Sequence, residues 1–126
     1  MKLLITGSAG FIGYHLSKKL LDLNYEICGI DNLNDYYSQK LKTDRLDLLR
    51  SYDNFKFVNA DICDIDSLKK QFGKYNPEKV VNLAAQPGVR YSLVNPHAYM
   101  NSNLIGFLNI LEMCRENNVA GLIYAS

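Results

Sequence analysis

Five short apolar runs punctuate the chain, and most are followed by a longer segment whose apolar residues recur at helical spacing. The runs are KLLIT (2–6), EICGI (26–30), FKFVN (55–59), KVVNLA (79–84) and GLIYA (121–125). They are rich in Ile, Val, Leu and aromatic residues, as strands buried on both faces of a parallel sheet should be. Ile12, Leu16, Leu20 and Leu23 recur at i, i+4, i+8 and i+11, which predicts a helix packing that stripe on the sheet. Residues 38–51 set Leu41, Leu46, Leu48 and Leu49 among charges, and 64–73 carry Ile65, Leu68 and Phe72. A long helix is expected from about Pro96 to Asn117, with Met100, Leu104, Phe107, Leu108 and Leu111. Alternating strands and helices with crossovers of about a dozen residues must be parallel and right-handed. The predicted fold class is α/β, a doubly wound parallel sheet in strand order 3-2-1-4-5.

Composition narrows the partners. The 126 residues are 48% apolar and carry a net charge of +1 with both signs interspersed, so there is a core to build and no basic stripe for nucleic acid or an acidic membrane surface. A small-molecule ligand is expected instead. No run reaches the roughly 20 apolar residues of a membrane span, and MKLLITGSAG turns to glycine too early for a signal peptide. Cys28, Cys63 and Cys114 are odd in number, far apart and without a CxxC pair or histidine cluster. They read as buried thiols of a cytoplasmic protein, with neither a disulfide framework nor a metal site.

The chemistry concentrates in ITGSAGFIG (5–13), where Gly7, Gly10 and Gly13 stand between a strand and a helix. Glycine at a helix start costs about 1 kcal/mol relative to alanine, so the backbone there is expected to meet a ligand. A strand, a tight turn and a helix N-terminus together favour a pyrophosphate. Gly7 permits the turn, Gly10 removes a Cβ from the ligand's path and Gly13 lets the helix lie close on the first strand. The second strand ends in Asp31, 18 residues after Gly13, where a carboxylate can accept hydrogen bonds from an adenosine ribose. It would repel a 2′-phosphate, and no arginine follows before Arg45, so NAD is expected over NADP. Asp61 and the NLAAQ stretch (82–86) fall at the carboxyl ends of strands three and four, the edge where open α/β sheets bind ligands. The small Ala84 and Ala85 would leave room for a ribose.

TGSAGFIG, DNLNDYY, NADICD, NLAAQPGVRYSLVNPHAYMNSNLIGFLNILEMCR and LIYAS, in that order, together resemble the extended short-chain dehydrogenase/reductase family. The similarity is to its sugar-nucleotide epimerases and dehydratases, above all the UDP-glucuronate 4-epimerase branch. The resemblance implies that Phe11 and Ile12 line the pyrophosphate turn, Asp31 and Asn32 hold the ribose, and Asp61 with Ile62 borders adenine. Leu83, Ala84, Ala85 and Gln86 would pass along the middle of NAD, with Asn103 near its nicotinamide half. Arg90, Tyr91 and Ser92 would face a nucleotide-sugar substrate, Arg90 as a bidentate donor. The family's catalytic Tyr-x-x-x-Lys pair and its serine or threonine cannot be assigned in these residues. Tyr36 and Lys40 have that spacing but follow the second strand, on the wrong side of the cofactor. GLIYAS closes the sequence one βα unit short of a six-stranded dinucleotide fold. Residues 1–126 are therefore expected to be the NAD-binding front part of a longer epimerase, inactive alone, with the substrate domain elsewhere. The alternative is a non-catalytic dinucleotide-binding module.

The long helix shows two apolar stripes. Leu104, Leu108 and Leu111 are expected to pack on the sheet, leaving Phe107, Ile110 and Cys114 turned away. In the resembling family this helix forms a dimer interface, so a homodimer through Asn103 to Cys114 is expected.

Overall fold

The computed structural model describes residues 1–126 and holds one sheet of five strands: β1 (Lys2–Thr6), β2 (Glu26–Asp31), β3 (Phe55–Asn59), β4 (Lys79–Asn82) and β5 (Gly121–Tyr124). The order is β3-β2-β1-β4-β5, and every neighbouring pair is parallel. The strand order and class read from the alternation are those observed. Along β1 the side chains alternate between faces, Leu3 and Ile5 in one buried cluster and Leu4 in the other.

α1 (Phe11–Asp22) and α2 (Gln39–Arg50) cover the first face, where Leu21, Leu46 and Leu49 meet Leu3, Ile5, Ile27 and Val81. α3 (Ile65–Tyr75) and a long helical segment cover the second, packing Leu68, Phe72, Ile110 and Met113 on Leu4, Ile30 and Val80. That segment runs from α4 (Pro96–Tyr99) through a wide π-helical turn, Met100–Ile105, into α5 (Gly106–Glu116). Ser38, Asp64 and Asn95 cap α2, α3 and α4 by accepting from Leu41, Ser67 and Ala98 backbone N–H groups.

Two helix faces differ from the expectation, and for one reason. In α1 the buried residues are Gly13, Ser17 and Leu21; Ile12 and Leu23 are exposed, with Leu16 and Leu20 at the margin. In α5 they are Gly106, Ile110 and Met113, while Leu104, Leu108 and Leu111 are exposed. Each helix turns inward the face that carries its glycine. A Cβ on Gly13 would run into the carbonyl oxygen of Gly7, and one on Gly106 would meet the Ile62 side chain at 2.5 Å. Asn109 fixes the rotation of α5 by donating from Nδ2 to the Ile62 carbonyl (2.8 Å). Periodicity offers one apolar stripe in α1 and two in the long helix, and close approach at a glycine decides which face is buried. Of the three thiols, Cys28 is buried and Cys63 and Cys114 are half-buried.

Candidate dinucleotide cleft

At the carboxyl ends of the strands the chain leaves β1, β2, β3 and β4 in turn, and the four exits surround a cavity of about 640 Å³, well within the range of ligand sites. The β1 exit is the glycine loop. Gly7 sits at φ +72°, a conformation that disfavours any side chain, and its N–H donates to the Ile30 carbonyl (2.8 Å). Gly10 begins α1 with no side-chain cap, and no acidic residue occupies the first turn. The free N–H groups of that turn, beside the Cβ-less wall of Gly10, make an anion site.

Asp31 ties the β2 exit to this loop. One carboxylate oxygen accepts from the Ala9 N–H (3.1 Å) and the other from the Leu33 N–H (2.8 Å), which leaves further lone pairs on each for a ligand hydroxyl. Asn32 donates from Nδ2 to Asp61 (3.3 Å) at the β3 exit, and Asp61 also accepts from the Cys63 N–H (2.8 Å). Partial burial would raise the Asp61 carboxyl, but the hydrogen bonds from Cys63 and Asn32 outweigh it and hold the group below its ordinary value. At the β4 exit the Thr6 hydroxyl is a hub. It donates to Asn82 Oδ1 (2.5 Å) and accepts from the Leu83 and Ala84 N–H groups (3.1 Å each), so β4 stops at Asn82 and Leu83 begins the cleft wall rather than continuing the strand.

Gly7, Gly10, Phe11, Ile12, Gly13, Asp31, Asn32, Asp61, Ile62, Leu83, Ala84 and Ala85 all line the cavity. Asn103 instead lines an adjoining cavity of about 250 Å³, whose walls share Leu83, Ala84 and Ala85. Its amide accepts from the Gln86 N–H (2.8 Å) and donates to the Gln86 carbonyl (3.4 Å). Gln86 is buried and lines neither cavity. Arg90 and Ser92 share a 3-10 turn, Arg90–Leu93, outside both cavities. The Ser92 hydroxyl donates to Val89 O (2.6 Å). Tyr36 and Lys40 form no catalytic pair, since Lys40 is bound to Asp44 (2.8 Å).

Sequence reading missed two cations at the Asp31 end. Buried Lys42 donates from Nζ to the Asn34 carbonyl and side-chain oxygens (3.0 and 2.8 Å) and lies 4.6 Å from the Tyr37 ring centroid. Burial lowers its ammonium below the ordinary value, opposed by the charge of Asp31. Arg45, distant in sequence, returns through α2 to donate from Nη1 to Ala9 O (3.1 Å) and Tyr37 Oη (3.2 Å). Both line the cleft. The signal was present: Lys42, Leu46 and Leu49 stand at i, i+4 and i+7, and a lysine within an apolar stripe needs a destination.

The uncapped start of α1, the open wall at Gly10 and the spare lone pairs of Asp31 fit a dinucleotide. The sequence pattern of the family described as GDP-mannose 4,6 dehydratase matches residues 4–126. The chain belongs to this family. Among its relatives, Protein CapI of Staphylococcus aureus is 53% identical over 126 residues, which are all of this chain and 37% of that protein. A UDP-glucuronate 4-epimerase of Thermodesulfobacterium geofontis is 45% identical over 123 residues, 98% of this chain and 38% of that protein. Among solved structures, this chain is similar to UDP-glucuronic acid 4-epimerase from Bacillus cereus, in complex with UDP-glucuronic acid and NAD. Its TM-score is 0.85 at 34% identity, over 98% of this chain and 39% of that one. UDP-glucose 4-epimerase of Thermus thermophilus, in complex with NAD, gives a TM-score of 0.84 at 32% identity, over 100% of this chain and 37% of that one. The chain thus spans under two-fifths of the length of these relatives and solved structures.

Proposed function

We propose that these 126 residues are the NAD-binding part of an NAD-dependent epimerase acting on a nucleotide sugar of the UDP-glucuronate/UDP-galacturonate type by transient oxidation at C4. The observation that carries the reading is the cleft, in which an uncapped helix start, a ribose-seeking carboxylate and a wall of small residues follow one another around the strand ends. The names and bound molecules of the relatives support the substrate class.

In this reading the N–H groups at the start of α1 hold the pyrophosphate, and Asp31 with Asn32 accepts and positions the adenosine ribose. Asp61 and Ile62 border adenine. Leu83, Ala84 and Ala85 line the path to the second cavity, and buried Gln86 carries the backbone that Asn103 braces beside the nicotinamide. NAD held there would supply the hydride acceptor for transient oxidation of the sugar. The chain's own part is to bind and orient, since no Tyr-x-x-x-Lys pair faces the cleft. Arg90 and Ser92 stand ready at the substrate side, and their turn must swing or be met by the nucleotide sugar for contact. The protein is read as a cytoplasmic homodimer, joined through the outward stripe Met100, Leu104, Leu108 and Leu111, all exposed. Such a stripe supports the interface expected from sequence while replacing the residues assigned to it.

Proton NMR of UDP-glucuronate incubated with the whole protein and NAD tests the activity. Appearance of UDP-galacturonate supports it, and unchanged substrate beside demonstrable NAD binding points to the non-catalytic module. The 126 residues by themselves are expected to convert no UDP-glucuronate.

A further inference from the structure

The loop after β2 does more than connect it to α2. Leu33, at φ +54°, turns the chain back over the cleft in a conformation uncommon for leucine. The base of the loop is fixed: Leu33 N–H to Asp31 Oδ1 (2.8 Å), Lys42 Nζ to Asn34, and Gln39 Nε2 to the Leu33 carbonyl (3.0 Å). From this base Tyr36 reaches across to the segment that follows β4. Its ring centroid lies 4.8 Å from that of Tyr91 at an interplanar angle of 52°, and its hydroxyl occupies the space a Cβ on Gly88 would need. Gly88 itself is at φ +87°. The Tyr99 hydroxyl lies against the carbonyls of Pro87 (3.1 Å) and Gly88, one of which accepts its proton, and Asn95 Nδ2 donates to Tyr91 Oη (3.3 Å).

Tyr36 and Pro87 also line the cleft. One aromatic contact therefore joins the two strand exits that a dinucleotide would separate, and it joins the loop anchored on Asp31 to the turn that carries Arg90 and Ser92. We propose that Tyr36 is a positioning residue, a latch on Tyr91 that retains the dinucleotide and sets the Arg90–Leu93 turn in one step. The inference rests on the dinucleotide reading above. Opening the latch costs the Tyr36–Tyr91 contact and frees both the cleft mouth and the turn, so cofactor release and mobility of residues 88–93 should change together.

The test measures NADH release from the protein by stopped-flow fluorescence during a chase with excess NAD, in wild type, Tyr36→Leu, Tyr91→Leu, the double variant and Tyr36→Phe. An aromatic pair of this kind predicts release about threefold to tenfold faster in each leucine variant. The double variant should be no faster than the quicker single one by more than about twofold, because both remove the same contact. Tyr36→Phe, which keeps the ring, should stay within about twofold of wild type. Hydrogen exchange at residues 88–93 should slow when NADH binds to wild type and should not slow in Tyr36→Leu. Unchanged release in the single variants, multiplying effects in the double variant, or equal protection of 88–93 in Tyr36→Leu overturns the latch. A wild type that binds no NADH contradicts the dinucleotide reading itself, a distinct outcome.

Discussion

Asp31 serves two purposes with one carboxylate, and its neighbours decide how selective it is. Its oxygens secure the glycine loop and the Leu33 turn, and the same oxygens are placed to take ribose hydroxyls. A 2′-phosphate there meets Asp31 but also Lys42 and Arg45, so NAD is preferred over NADP by less than a lone carboxylate would impose. Asp31→Asn should weaken NAD by about tenfold to a hundredfold, the loss of charge-assisted hydrogen bonds worth about 1.5–3 kcal/mol. NADP should weaken less. Lys42→Met should widen the preference for NAD, and dissociation constants of the two cofactors for the three proteins decide the matter. The thiols give a second prediction. Burial pushes Cys28, Cys63 and Cys114 each up to about 11, with Asp61 adding to the shift at Cys63, so all three should alkylate slowly at pH 8 in the folded protein. Because unfolded cysteine loses its proton near 9, the stability this burial reflects is complete below pH 9 and is lost as pH rises towards 11. Alkaline melts should show that decline.

At the scale of elements, small residues rather than leucines set how the helices lie. Gly13 and Ile12 are neighbours in sequence with opposite duties: Gly13 is pressed on the Gly7 carbonyl, whereas Ile12 is 64% exposed at the cleft. Gly13→Ala should destabilise the fold by about 1–3 kcal/mol through overpacking. Ile12→Ala should leave the unfolding midpoint nearly unchanged and weaken NAD. Denaturant melts beside NAD titrations separate the two. The same rule moves the predicted interface: Leu108→Glu, on the exposed stripe, should abolish dimerisation of the whole protein in sedimentation, while Phe107, packed 5.0 Å from the Tyr124 ring, should cost stability when changed to Glu. Strand positions were legible in the sequence as continuous apolar runs, which burial on both faces explains for β1, β2 and β4; the edge strands β3 and β5 were expected to be buried likewise and are only partly so. Helix rotation was not, since Ile110 and Met113 are no more apolar than Leu104 and Leu108, and the approach at Gly106 with the Asn109 bond to Ile62 distinguishes them.

At the scale of the molecule, function follows from where the strands end. Parallel order brings four exits, separated by about 20 to 30 residues along the chain, to one edge, and one helix start delivers its free N–H groups there. Twelve of the fourteen cofactor positions expected from sequence line the main cavity: Gly7, Gly10, Gly13, Asp31, Asp61, Ala84 and Ala85 were placed by spacing at strand ends, and Phe11, Ile12, Asn32, Ile62 and Leu83 by the family resemblance. Lys42, Arg45 and Tyr36 escaped because they reach the cleft from a helix or a folded-back loop, where spacing carries no such information. This edge is proposed to hold a dinucleotide with its pyrophosphate at Gly10. Calorimetric titration of NAD into the protein and its Gly10→Val variant tests that most directly. One NAD per chain is expected for wild type and no measurable binding for the variant, whose branched side chain would fill the phosphate position; equal affinity in the two proteins would contradict that placement.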